Sequence, residues 1–119
     1  MQPLIQFFLP PVTAKPSKLH NCSFELLENA TFNWLKVECV PGYDGGLKQT
    51  FHLDIYQTTR LVKNVSNDVS LFYIDISTLN VVEAVLLNLI LYTTNAKGRS
   101  ENVTLSGISL ENAEKRTGV

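Results

Sequence analysis

Cys22 and Cys39 are the only thiols of this 119-residue chain, and His20 and His52 are its only imidazoles. A thiol pair can be oxidised to a bridge or remain two small buried apolar groups, and an imidazole can move a proton or hold a metal. Neither histidine has cysteine or histidine company at a zinc-like spacing. His52 and Asp54 are two residues apart, so on a strand they project from one face. There they can form a proton relay or a weak metal site, or stand as two solvated side chains. Gly42, Gly45 and Gly46 follow an apolar stretch but open no helix, which leaves them as turn glycines without the dipole of a phosphate loop. No nucleophile stands beside an oriented base, and no paired carboxylates suggest a concave site. The expectation is a protein that is not an enzyme, with no cofactor, no metal and no small-molecule substrate.

The cysteines sit in a pattern that says more. Cys22/Phe24/Leu26 and Leu35/Val37/Cys39 are alternating triplets, mirror images about the point between Ala30 and Thr31. An antiparallel hairpin written into sequence has this form, with inward side chains two apart on each arm and partners opposite one another. Cys22 then faces Cys39. Directly opposed residues lie about 4.5 to 5.5 Å apart at Cα, inside the roughly 4.4 to 6.8 Å that a disulfide tolerates. Such a bond closes a loop of about 18 residues, worth roughly 3 kcal/mol in the chain-entropy picture.

Asn21-Cys22-Ser23, Asn29-Ala30-Thr31, Asn64-Val65-Ser66 and Asn102-Val103-Thr104 satisfy the N-glycosylation pattern. Asn29 falls at the expected hairpin tip, and Asn21, Asn64 and Asn102 at strand ends or on outward faces, where a glycan has room. Together with the cysteine pair, these sequons point to an oxidising compartment, extracellular or at the cell surface.

Net charge is −1, and the lysines and arginines are scattered singly, which argues against a nucleic-acid partner. With 45% apolar and 18% charged residues the chain is globular and long enough for one core. The longest apolar run, 81–92, is broken by Glu83 and Asn88 and is too short for a membrane span of about 20 residues. Residues 1–16 form a Pro-rich lead-in. The stretch before Pro10-Pro11 is apolar but lacks a basic start, so a linker or upstream remnant is favoured over a secretion signal. Residues 17–110 form the domain and 111–119 a polar tail or linker.

Within the domain, short alternating strands are separated by turn residues. They are expected at 20–27, 33–40, 49–57, 60–65, 69–76, 84–94 and 101–109, with no helix: an all-β, seven-stranded, immunoglobulin-like β-sandwich. Pro41 to Gly46, Asn67-Asp68 and Asn95 to Gly98 supply the turns. Phe51, Leu53 and Ile55 point inward and His52, Asp54 and Tyr56 outward; for Leu71/Tyr73 against Phe72/Ile74/Ile76 either set can face the core. The strand at 84–94 is apolar on both faces, with Val85, Leu87, Leu89 and Leu91 on one and Leu86, Ile90 and Tyr92 on the other. Leu86, Ile90 and Tyr92 are expected beside His52 and Tyr56, an aliphatic and aromatic mixture of the kind protein interfaces favour. Its cover is a protein partner or a neighbouring domain, and a glycan on Asn102 would shield part of it. Lys97-Gly98-Arg99 adds a small basic cluster at a hairpin tip, either solvated or set against an acidic patch.

Finer blocks carry a resemblance. Asn21-Cys22-Ser23, Val37 to Leu47, Gln49-Thr50-Phe51-His52-Leu53, Asn95 to Ser100 and Ala113 to Gly118 occur in an order that resembles the membrane-proximal fibronectin type III domain of the sidestep family. Those are invertebrate cell-surface proteins of the immunoglobulin superfamily, and the similarity covers residues 16 to 118. It implies a fibronectin type III fold and a role in cell-cell recognition and axon guidance, through protein contact and without catalysis. Family members set immunoglobulin domains before this module and a transmembrane helix after it. This chain carries neither, so it reads as a fragment reaching the membrane only through a segment outside it, or as a stand-alone protein-binding sandwich of the cytokine-receptor or decoy kind. Cys39 stands where the fibronectin pattern has a core tryptophan, Leu87 where it has a tyrosine, and Trp34 lies five residues too early to replace the former.

Overall fold

The computed structural model describes residues 12–28, 33–79 and 85–110. The strands are β1 (His20–Glu28), β2 (Asn33–Val40), β3 (Thr50–Gln57), β4 (Arg60–Asn67), β5 (Leu71–Asp75), β6 (Val85–Asn95), β7 (Gly98–Arg99) and β8 (Val103–Leu110). A three-residue 3₁₀ turn at Ile76–Thr78 follows β5, started by Asp75, whose carboxylate accepts from the Ser77 amide at 3.0 Å. All pairings are antiparallel and form two sheets. One runs β1-β2-β5; the other runs β4-β3-β6, with β7 and β8 in succession against β6. The final strand expected at 101–109 is β8, and the two-residue β7, which falls at the end of the expected turn, brings the total to eight. The break between β7 and β8 falls at Ser100, where the Oγ accepts from the Thr93 amide at 2.9 Å while the Ser100 amide donates to the Thr93 carbonyl at 2.8 Å. That exchange uses up the ladder groups locally and resets the register.

Period-two alternation sets the core. Leu53, Ile55, Leu87, Leu89 and Leu91 of the larger sheet are fully buried against Leu35 and Val37 of the smaller one. Phe72 and Ile74 are also buried and Tyr73 is 53% exposed, which resolves the two-way reading of β5. Leu and Ile side chains from the two facing sheets form one buried cluster between them.

The β1–β2 register pairs Phe24 with Val37 and Leu26 with Leu35, as the mirror triplets require, and Cys22 and Cys39 form the disulfide with Cα atoms 4.0 Å apart. Two details differ from expectation. A bulge between His20 and Ser23, with Asn21 at φ 50°, shifts the pairing so that His20 meets Val40. Phe24 and Leu26, expected inward, are 42% and 36% exposed. Strand β1 is the edge of its sheet, paired with β2 alone among the described strands, so these two side chains lie at the rim of the core.

Residues 12–19 are bound to the sandwich. The Ala14 amide donates to the Gly45 carbonyl at 3.0 Å and the Ser17 amide to the Tyr43 carbonyl at 2.8 Å, with Pro16 and Leu19 buried. Asn95 locks the strap, its amide nitrogen donating to the carbonyls of Ala14 at 2.7 Å and Asp44 at 2.9 Å. Gly45 is required here because its φ is +78° and the Ala14 carbonyl oxygen occupies the space a Cβ would need. Among the described residues no helix is long and apolar enough to cross a membrane.

Candidate functional site

The outer face of the larger sheet is built by strand register. His52 is paired with Ser66 on one side and Tyr92 on the other, Asp54 with Asn64 and Ile90, and Tyr56 with Leu61 and Asn88. Cross-strand partners point to the same face. The five residues singled out in the sequence therefore lie together: His52 and Tyr56 on β3, and Leu86, Ile90 and Tyr92 on β6. Leu86 is 62% exposed, and the other four are half-buried.

At one end of this face three side chains stack. The His52 and Tyr92 rings lie 4.7 Å apart at 13°, and the Arg99 guanidinium sits 3.4 Å from the Tyr92 centroid. Stacking between aromatic planes and a cation against a ring each contribute on the order of 1 kcal/mol at a half-exposed site. Hydrogen bonds fix both ends. The ring nitrogens of His52 meet Ser66 Oγ at 2.9 Å and Thr94 Oγ1 at 2.8 Å, and Arg99 donates to Asn102 Oδ1 at 2.8 Å. Burial lowers the His52 pKa, the Asp54 carboxylate opposes that, and the nearby Arg99 cation adds to it. The imidazole is therefore held neutral around neutral pH.

Both nitrogens of His52 are thus engaged by hydroxyls, and among the described residues no carboxylate hydrogen-bonds the ring. Among the described residues no group of three or more His, Cys, Asp or Glu side chains is placed to hold a metal.

At the other end lies a shallow depression of about 420 Å³, lined by Tyr56, Thr58, Thr59, Asn88, Ile90, Thr104 and Ser106. Two irregularities make it. Between Leu87 and Leu89 the β6–β8 register slips at Gly107, whose φ is +75°. At the β3–β4 turn Thr58 holds φ 57°, an unusual conformation for a β-branched residue. Arg60 clamps that turn through Gln57 Oε1 at 2.7 Å.

Of the sequons, Asn21, Asn64 and Asn102 are exposed, and Asn29 lies outside the described residues. Asn64, opposite Asp54, and Asn102, bound to Arg99, border the outer face from its two edges. Sequence reasoning missed Arg99, Ser66 and Thr94 as parts of this face, leaving Arg99 at a hairpin tip. Folding the chain about Asn95 to Gly98 pairs Arg99 with Thr94, beside Tyr92, and is the signal that finds it.

Neither protein-family models nor the curated proteins provide a match to this chain. Solved structures do. The chain is similar to the rat CD45 extracellular region, domains d3-d4, at TM-score 0.57 and 21% identity, over 79% of this chain and 51% of that one. It is also similar to titin kinase and its flanking domains, at TM-score 0.56 and 13% identity, over 88% of this chain and 18% of that one. The chain thus spans about half of the CD45 fragment and less than a fifth of the titin one. At these identities the likeness speaks for the fold alone, and it agrees with the strand order: the chain is an immunoglobulin-like β-sandwich of the fibronectin type III kind.

Proposed function

We propose that this chain is a non-catalytic extracellular module that makes protein contacts, and that it belongs to a sidestep-like cell-surface protein. In that setting it spaces and orients recognition domains for cell-cell recognition and axon guidance. The observation that carries the reading is the outer face of the larger sheet, where Arg99, Tyr92 and His52 are locked in a stack that runs on into Ile90, Tyr56 and Leu86. Arg and Tyr are the residue types most enriched where binding energy concentrates, and a stack already fixed in place loses little entropy when covered. The Cys22–Cys39 disulfide supports an oxidising compartment, and the CD45 neighbour is itself extracellular. Residues 17–110 form the module, and Asn21, Asn29, Asn64 and Asn102 are its candidate glycosylation sites.

Two measurements test this. The intact mass of the chain secreted by eukaryotic cells, before and after reduction and deglycosylation, reports export, bridge and glycans together; a retained species with two free thiols overturns the compartment. Fluorescent multimers of the secreted and deglycosylated chain are expected to stain invertebrate neuronal cells and Ile90→Asp multimers to lose the signal with the fold intact by circular dichroism. Equal staining removes the face from the reading.

The 62% exposure of Leu86 favours a second reading, a stand-alone protein-binding sandwich. The stand-alone reading predicts full affinity for a partner from the monomeric isolated domain, whereas the module reading predicts binding only with the avidity of multimers or of the parent chain.

A further inference from the structure

The outer face carries a candidate cover in its own chain. Asn102 is exposed, immediately precedes β8, and lies on the face with its Oδ1 accepting from Arg99 at 2.8 Å. With the oxygen held, the amide nitrogen is the atom left to carry a sugar. Glycan transfer from a lipid-linked oligosaccharide diphosphate forms the Nδ2–C1 bond, breaks the C1–O bond to phosphate, releases one amide proton and leaves the Oδ1 acceptor intact. The Arg99 contact therefore survives glycosylation and orients it.

From Asn102 the strand leads straight into the depression. Thr104, the hydroxyl residue of the same sequon, is paired with Ile90 and lines that depression, and so does Ser106. Alternate residues of a strand are about 6.6 to 6.8 Å apart, so the rim lies within reach of the innermost sugars. The lining suits a carbohydrate. Tyr56 and Ile90 offer apolar surface for the sugar's C–H face, while Thr58, Thr59, Ser106 and the Asn88 amide offer uncharged hydrogen-bonding groups. Its open volume of about 420 Å³ leaves room for a sugar ring laid against the sheet. The Thr58 backbone, held at φ 57°, helps to shape the opposite wall.

We propose that the N-linked glycan of Asn102 folds back along β8 and seats its innermost sugars in the depression over Tyr56 and Ile90. This rests on the contact face proposed above and adds its regulation. Chains glycosylated at Asn102 have that end of the face covered, and chains bare at Asn102 present it to a protein.

The test needs no partner, so its failure is distinguishable from failure of the contact reading. The chain is secreted with Ser23→Ala, Thr31→Ala and Asn64→Gln, leaving Asn102 as its one sequon, from cells that make high-mannose glycans and with tyrosine and isoleucine isotope-labelled. Glycopeptide mass must show Asn102 occupied. Nuclear Overhauser contacts are expected between sugar protons and the Tyr56 ring and Ile90 methyls, with loss of those contacts and shifted Tyr56 and Ile90 signals after peptide N-glycosidase F removes the whole glycan. In Tyr56→Ser, the sugar resonances are expected to sharpen to those of a free oligosaccharide. An unoccupied Asn102, or wild-type sugar resonances already sharp and without contacts, overturns the seat.

Discussion

Strand β6 shows two faces made of the same kind of residue and put to different use. On the inner face Leu87, Leu89, Leu91 and Thr93 are fully buried. On the outer face, one residue out of phase, Leu86 is 62% exposed, Ile90 is half-buried, and Tyr92 is shielded by the stacked rings and guanidinium beside it. The inner residues define the fold, because a second sheet covers them and each lost methylene leaves a void. Among the described residues the outer ones are covered only by their neighbours on the sheet, which leaves apolar surface such as that of Leu86 exposed. Composition cannot tell the two faces apart; the opposing sheet does.

Truncation separates the faces most sharply. Leu89→Ala is expected to destabilise the domain by about 2 to 5 kcal/mol in chemical denaturation, the range for buried leucines. Leu86→Ala, three positions away on the exposed face, is expected to stay within about 0.5 kcal/mol. Similar losses for the two would mean that the outer face is already covered in the folded chain. A related expectation concerns the bridge tied to the inner face of β2 through the buried Cys39. Replacing both cysteines by alanine is expected to cost about 3 kcal/mol, since the bridge spans 17 residues of sequence. A urea midpoint unchanged on reduction would contradict that.

Much of this contrast is legible in the residues. The triplets about Ala30/Thr31 give the hairpin and its bridge, and the doubled periodicity of β6 gives both faces, because alternation is a local signal. What escapes is non-local or irregular. The bulge at Asn21 and the slip at Gly107 move register without any change in alternation, so neither the shifted start of β1 nor the depression beside Gly107 and Thr58 is visible in the sequence. Exposure of Phe24 and Leu26 depends on how far the opposite sheet extends, which β1 itself does not encode. Arg99 joins Tyr92 only once β7 has folded back, and its place follows from the turn before it rather than from its charge.

The stack permits a subtler comparison, between order and stability on the outer face. Tyr92→Ala removes the surface shared by His52 and Arg99 and is expected to cost about 1 to 2 kcal/mol, less than the inner leucine though the side chain is larger. A loss as large as that of Leu89→Ala would show the outer face acting as a second core.

Acid provides the smallest perturbation, and on the outer face it acts through His52. The folded His52 pKa is lowered from 6.5, chiefly by burial, with Arg99 adding to the effect and Asp54 opposing it. In this pH range the unfolded chain therefore binds more protons at this position than the folded one, and folding is favoured while the imidazole is neutral. The contribution is fully present above pH 6.5 and is lost as the pH falls from there through the folded pKa. Urea midpoints taken between pH 7.5 and 5.5 are expected to decline slightly more for the native chain than for His52→Gln, which keeps a polar group near Ser66 and Thr94 but does not titrate. The inner leucines do not titrate either, so Leu89→Ala is expected to lower the whole curve in parallel, whereas Tyr92→Ala, which exposes the imidazole, flattens it. Parallel curves for the native and His52→Gln chains would mean that water reaches His52 freely and that the stack does not hold in solution.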